Sequence, residues 1–371
     1  MNMVRVGRVV WNEKVYDVYV SLPDSFIPHY TASWGDSKSG GSFTIAPSEG
    51  GVLKEGVLKE VKAEKIVENY DLKRNICGVF SSEDSNSVIP VLYYSEGGNS
   101  RKAFLREPVK INDKPYIIEI KGVGNKGKEI DIQQLRRIAP SFYGSPIGDT
   151  GPIGGLPYKE AVYDVEVMKK MNKAGIYPPL FISLYRLPLT YTNLRGENDS
   201  LAIEVRGTDS TMRASWVNPN FNKYLFGHLD TSPEEYARVF SEKTLKAYRT
   251  LLNLGYLHIS PHEDNLLLTG GITDLGDTIN LNETDNSIVK YSLNSIVKSS
   301  LKYFIFSLLN VLQNSRLPKE DSEKWNKVVV EILNDNIREE FDFDPNLSKM
   351  TFGEFNKLIE KMYEKLSVFK Y

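Results

Sequence analysis

Leu254 to Thr278 reads LGYLHISPHEDNLLLTGGITDLGDT, and this stretch decides the fold. It sets Asn265 and Asp274 on two short apolar runs joined by Gly270-Gly271. A Gly-Gly pair between apolar β-formers signals a two-residue hairpin, because a type I′ turn needs positive φ at both central positions. With Thr269 and Ile272 flanking that turn, Leu268 faces Thr273 and Leu267 faces Asp274. Period-2 alternation returns Asn265 to the side of Leu267, which makes it a diagonal neighbour of Asp274. Two oxygen-bearing side chains converging in this way, with Asp264 beside them, suit a hard cation such as Mg²⁺ carrying a nucleoside triphosphate.

A catalytic-loop Asn paired with a D-x-G Asp is the arrangement of protein kinases. Those enzymes place a catalytic Asp five residues before the metal-binding Asn. Here that position is Ser260. A hydroxyl does not accept a substrate proton near neutral pH as a carboxylate does, so the usual general base is missing. The chain is therefore either a non-catalytic kinase fold or the catalyst of a different transfer.

His258, Asp264, Asn265 and Asp274 resemble, spacing for spacing, the H-G-V-M-N-T-D-N-M-S-I-L-G-L-T-I-D-Y-G segment of the selenoprotein O family, kinase-like proteins that transfer AMP rather than phosphate. Upstream, Ile118-Glu119-Ile120-Lys121-Gly122-Val123-Gly124 is similar to that family's L-x-L-K-G-S-G, and Val205-Arg206 with Arg213 reproduces its R-x6-R spacing. Gly154 to Ile176 resembles the family's glycine-to-helix stretch ending M-H-A-L-G-I. Asn282-Glu283-Thr284-Asp285 followed by Lys290-Tyr291-Ser292 resembles its N-H-S-D…R-Y. The matches run in order across roughly residues 116 to 310, which carries more weight than any single motif.

The resemblance implies an α+β, protein-kinase-like two-lobed fold with a β-rich N-lobe and an α-helical C-lobe. It implies residues 1–187 as the N-lobe with its N-terminal β-rich extension, and 188–371 as the helical C-lobe with a metal-binding hairpin at 264–276. It implies ATP and Mg²⁺ (or Mn²⁺) as cofactors, held with the γ-phosphate end deep and the α-phosphate toward the acceptor. Lys121, Arg206 and Arg213 would then neutralise phosphates, Asn265 and Asp274 would hold the metal, and Asp264 would be the catalytic base or acceptor-orienting group. Gly154 and Gly155 would belong to the loop covering the phosphates. The acceptor would be a protein hydroxyl of Ser, Thr or Tyr; the alternatives are a phosphotransferase and an inactive nucleotide-binding pseudokinase.

Departures from the family bear on mechanism. About twenty extra residues, Asn125 to roughly Ser145, separate Lys121 from the glycine stretch when the motifs at either end are aligned. The helix carboxylate expected to pair with Lys121 falls on Asp164 where the family has Glu, with Glu160 and Glu166 close by; Asp164 flanks the Ala161, Val165, Met168 stripe. The C-terminal redox feature of the selenium-containing relatives is missing.

Composition fits a soluble enzyme. The chain has 371 residues, 25% of them charged, and a formal net charge of −2, so no global basic field points to nucleic acid or an anionic membrane. The single Cys77 excludes an internal disulfide framework, and the four histidines are scattered. No apolar run looks long enough to cross a bilayer, and the charged N-terminus does not resemble a signal peptide. A cytoplasmic monomer acting on protein partners is the expectation.

Local patterning fills in the elements. Val4 to Val20 and Val88 to Tyr94 read as strands, and Pro115 to Ile120 alternates into Lys121. Thr31 to Gly50 is a Gly/Ser-rich loop, followed by the five-residue tandem duplication GVLKEGVLKE. A helix over 158 to 174 closes at Pro178-Pro179, and Leu180 to Leu187 follows as a strand near the hinge between lobes. Ser232 with Glu235 forms an S-x-x-E capping box ahead of a buried Tyr236, Phe240, Leu245, Tyr248, Leu251, Leu252 face. Helices near 288 to 313 and 319 to 338 come next, and a last one starts at Thr351. His258 reads as a buried hydrogen-bonding residue.

Overall fold

The alternation that ends at Lys121 becomes the strand on which the main sheet is built. The structure, a computed structural model, describes residues 3–21, 64–70, 102–104, 108–122, 131–136, 151–153, 155–193, 196–282, 287–348 and 352–365. Its strands are β1 (Met3–Trp11), β2 (Lys14–Ser21), β3 (Glu64–Glu68), β4 (Lys102–Phe104), β5 (Val109–Ile111), β6 (Lys114–Lys121), β7 (Asp131–Arg136), β8 (Gly151–Ile153), β9 (Leu180–Thr192), β10 (Asn198–Thr208), β11 (Tyr256–His258) and β12 (Thr278–Asn280). Its helices are α1 (Tyr158–Lys173), α2 (Pro219–Leu229), α3 (Pro233–Asn253), α4 (Ser287–Asn314), α5 (Ser322–Phe341) and α6 (Phe352–Lys365). The expected loop at 31–50, the duplication at 51–60, the strand at 88–94 and Gly154 lie outside the described residues.

The architecture is mixed α+β, with most strands in the first half, α1 inserted before β9, and the short β11 and β12 among the later helices. The main sheet runs β3-β9-β10-β6-β4, with β5 also paired to β6, and every pair is antiparallel. Residues Ile117 to Lys121 of β6 are all buried, so both faces of this strand are covered. A lobe boundary at 187 does not fit this sheet. It falls inside β9, and β10 continues the same sheet to Thr208. Part of the segment inserted after Lys121 is itself strand: β7 pairs antiparallel with β8.

The N-terminal hairpin touches both the main sheet, through Val10 against Phe104 and Ile117, and the helices. Asn12 and Glu13 both take positive φ, as a two-residue turn demands. Trp11 at the end of β1 stacks on Tyr236 of α3 at 5.6 Å, and the Tyr19 carbonyl of β2 meets His228 of α2 at 3.2 Å. The hairpin thus also packs on the helical half, pinned to the end of β10 by the Val10 amide donating to the Asp209 carbonyl.

Helix starts follow the sequence signals. Ser232 Oγ accepts the Glu235 amide at 3.1 Å, and α3 buries Tyr236, Phe240, Leu245, Tyr248, Leu251 and Leu252 on one face. Each such large apolar side chain contributes about 1.5–3 kcal/mol relative to exposure. In α1 the buried positions 161, 164, 165, 168 and 171 recur at helical spacing, which turns Asp164 inward among apolar neighbours. Helix α4 corrects one expectation. Its Ser295–Asn314 stretch is long and apolar enough to cross a bilayer by length and composition; much of it is buried inside the protein, where Leu301, Phe304, Ile305 and Leu308 join the core.

Candidate active site

Strand register brings most of the site together before any loop is involved. In β10 against β6, Glu204 lies opposite Lys121 and Arg206 opposite Glu119; in β4 against β6, Lys102 lies opposite Lys121. Alternation puts these five side chains on one face of three adjacent strands, with opposite charges directly across between β10 and β6 and two lysines directly across between β4 and β6. Helix α1 delivers Asp164, whose Oδ2 accepts from Lys121 Nζ at 2.8 Å. Glu166 is engaged elsewhere, with Lys170 at 2.8 Å, and Glu160 lies against Gly276. Gly122 makes the close packing possible. At φ +97°, a Cβ there would meet the Ala202 carbonyl oxygen at 2.3 Å.

Arg206 is 1% exposed and its guanidinium is spent on the protein. Nε donates to Glu119 Oε1 at 2.9 Å, Nη2 to the same oxygen and to Thr273 Oγ1 at 3.0 Å, and Nη1 to Glu204 Oε1 at 3.3 Å. Arg213 is different. It bridges to Leu267, and its Nη1 is buried with no hydrogen-bond partner among the described residues. The R-x6-R pair therefore divides into one arginine that organises the interior and one that carries an unspent donor.

Asp274 closes the site from the far side. Its Oδ1 lies 3.2 Å from Lys102 Nζ, 3.4 Å from Lys121 Nζ and 3.7 Å from Arg206 Nη2, while its side chain keeps 27% exposure. Asp274 adopts φ 55°, ψ 50°, a left-handed backbone that is strained for a residue with a Cβ. The glycine of D-x-G has a packing reason: a Cβ on Gly276 would press on Glu160 Cγ at 3.3 Å, so this position lets the loop lie on α1 beside Asp164.

The turn between Asn265 and Asp274 corrects the sequence reading. Leu267 N donates to Gly271 O, Leu266 bridges Ile272, and Thr273 N donates to Asn265 O. The turn holds three residues, Leu268 to Gly270, and sets Leu267 opposite Gly271 rather than Asp274, with positive φ at Gly270 and not at Gly271. Asn265 ends a short 3-10 turn rather than sitting in a strand, and it faces Thr273. Its Nδ2 donates to Ser260 O at 2.8 Å, which leaves the amide oxygen as the atom able to bind a cation.

Asp264 lies in the same 3-10 turn, 28% exposed, its carboxylate 3.9 Å from His262 Nδ1. Gly155 is buried where Leu156 O accepts Ala202 N, against the start of β10. His258 is fully buried: Ser260 N donates to its Nδ1 at 3.2 Å, so Nε2 carries the hydrogen toward Thr273 O at 3.1 Å. Burial pushes that imidazole down to about 4, and the neutral ring ties the loop to the turn.

The electrostatics follow from burying this many charges together. Burial pushes Glu119 up, but Arg206, Lys102 and Arg213 reverse this and bring it down to about 2. Asp274 likewise is raised by burial and held well below the carboxylate range by Lys102, Lys121, Arg213 and Arg206. Lys102 is lowered to about 8 by burial and Arg213, against the pull of Asp274 and Glu119. Glu204 moves the other way, pushed up to about 8 by burial and by Asp164.

Glu204 gives a pH test. Its folded value lies above the ordinary 4.5, so the folded chain keeps a proton that the unfolded chain releases. The resulting stability is fully present below pH 4.5 and lost as pH rises through 8. Glu204→Gln does not titrate, so its stability relative to the parent is expected to rise across that window. Urea midpoints of both proteins at the two ends of the window measure this, and an unchanged difference would contradict a neutral buried Glu204.

Neither a protein-family model nor a curated protein matches this chain. What the site can do follows from its side chains. Lys102, Glu119 and Glu204 were not singled out from sequence, although Glu119 and Glu204 sit two residues from Lys121 and Arg206 at the strand period. Among the described residues no three His, Cys, Asp or Glu side chains converge on a metal. The part-exposed Asp274 carboxylate and the Asn265 amide oxygen are oxygen donors of the kind a Mg²⁺ site completed by phosphate and water oxygens takes.

Proposed function

We propose that the chain is an ATP-dependent protein adenylyltransferase with a protein-kinase-like two-lobed fold, moving AMP from Mg·ATP to Ser, Thr or Tyr hydroxyls, as in the selenoprotein O family it resembles. The observation that carries this reading is the convergence of Lys102, Lys121 and Arg206 on one oxygen of Asp274, with the unpaired Nη1 of Arg213 at the same cluster. A cation-rich pocket with one exposed carboxylate suits a metal-bound polyphosphate. Buried charges on this scale are not favourable for stability in themselves, which supports a functional reason for them.

Asp274 and Asn265 would hold Mg²⁺ (or Mn²⁺), which when bound neutralises phosphate charge. Lys121 and Arg213 stabilise charge growing on the leaving pyrophosphate. Arg206 acts as a positioning residue, fixing Glu119 and Thr273 and through them the approach to Asp274. Asp264 takes the proton of the acceptor hydroxyl as its oxygen bonds to the α-phosphorus and the bond to pyrophosphate breaks. Ser260, at the usual base position, has its carbonyl taken by Asn265 and its amide by His258.

A second reading, a nucleotide-binding scaffold without transfer, is favoured by the complete engagement of Arg206 with protein groups. Incubation with ATP labelled at the α- or the γ-phosphate, followed by intact mass of added acceptor proteins, separates the readings. Gain of AMP is expected; gain of phosphate points to a phosphotransferase and no gain to the scaffold. Asp264→Ala should lower AMP transfer by about 10²-fold or more while sparing ATP binding. Ser260→Asp should not confer γ-phosphoryl transfer, because an added carboxylate does not turn the nucleotide around.

A further inference from the structure

Lys102 is the cation of the cluster with the loosest hold. Lys121 keeps Asp164 at 2.8 Å whatever happens at Asp274, and Arg206 keeps Glu119, Glu204 and Thr273. Lys102 Nζ has Asp274 Oδ1 at 3.2 Å and Glu119 Oε1 at 3.6 Å among the described residues, and that Glu119 oxygen already takes two N–H groups from Arg206. An ammonium has three donors to satisfy, and burial makes an incomplete set costly. Lys102 also stands beside Lys121 across the strands, next to the one carboxylate of the cluster that is open to solvent.

We propose that Lys102 is a movable phosphate ligand: it holds Asp274 while no divalent cation is bound there, and passes to a di- or triphosphate chain when the cation takes that carboxylate. The proposal rests on the metal-nucleotide reading of the pocket and adds to it a residue and an order of events. A divalent cation on Asp274 repels an ammonium 3.2 Å from the same carboxylate and has twice its charge, so it displaces the lysine rather than sharing. The displaced side chain has a flexible stem and three donors, which lets it follow a phosphate where a forked guanidinium would need one fixed geometry. Because it reaches the chain of phosphates from the Lys121 side, Lys102 favours ligands with β- and γ-phosphates over a nucleoside monophosphate.

The test uses the full chain and Lys102→Met, which keeps length and removes charge. Mn²⁺ binding to the nucleotide-free protein, read by the loss of free Mn²⁺ signal in electron paramagnetic resonance, is expected to tighten about tenfold, because a competitor is gone. Mg·ATP affinity is expected to weaken about tenfold, with AMP affinity unchanged, and Lys102→Arg should restore ATP binding only in part, because its fork does not follow the phosphate as an ammonium does. A purely structural lysine would weaken both, so unchanged or weaker Mn²⁺ binding in Lys102→Met overturns the proposal. Should that variant fail to fold, acetylation of Lys102 in the parent chain decides the matter by mass spectrometry: reactivity should rise with Mn²⁺ alone and fall again with ATP added, and constant reactivity overturns it. A parent chain that binds no Mg·ATP overturns the pocket reading itself.

Discussion

Arg206→Ala is expected to lower stability by about 3–5 kcal/mol, or to prevent folding, because it strands buried carboxylates without their cation. Glu119 loses two donors and its counter-charge, and Glu204 Oε1 and Thr273 Oγ1 each lose the hydrogen bond that Arg206 donates. All of this happens at a side chain 1% exposed, where water does not replace the lost contacts. Arg213→Ala should behave otherwise. Its Nη1 has no partner to strand, so stability should change by about 1 kcal/mol or less while triphosphate affinity falls. Urea denaturation and calorimetric ATP titration of the two variants measure the contrast. An Arg206→Ala protein as stable as its parent would contradict the buried network.

Asp274→Asn is expected to weaken Mg²⁺-dependent ATP binding by about 100-fold or more while the fold survives. Asn is the better substitution than Ala, since it tolerates the left-handed backbone at φ 55° that Ala would strain. The fold should survive because the other ion pairs persist: Lys121 keeps Asp164, and Lys102 keeps Glu119 at 3.6 Å. What disappears is the one exposed carboxylate, whose low proton affinity leaves it charged and ready for a cation at any ordinary pH. Wild-type affinity for Mg·ATP in Asp274→Asn, with unaltered metal dependence, would place the metal elsewhere.

Local signals in the sequence were enough to find the two ends of this site. Strand alternation leads into Lys121, the helical stripe of α1 turns Asp164 inward, and D-x-G carries Asp274 onto that helix. Each depends on neighbours a few residues apart. The engagement of Arg206 with Glu119 was not legible, because it is set by the register of β10 on β6, a pairing 87 residues apart that no local pattern encodes. Lys102 had no signal, since a three-residue strand has too few positions for alternation to show. The Gly-Gly turn failed for a tertiary reason. Arg213 bridges Leu267, and Met212 O takes the Leu268 amide, so the first arm is paired to another segment of chain and the turn opens to fit it. In α4 the apolar stretch was underestimated, since its length shows only once Ser295–Asn314 is one continuous helix.

A crystal structure with Mg²⁺ and an ATP analogue uncleavable between the α- and β-phosphates tests the central claim most directly. The account predicts the metal between Asp274 and the Asn265 amide oxygen, the outer phosphates on Lys121 and Arg213, and the α-phosphate toward Asp264. A nucleotide with its γ-phosphate toward Asp264, or one bound away from Asp274 altogether, would contradict it.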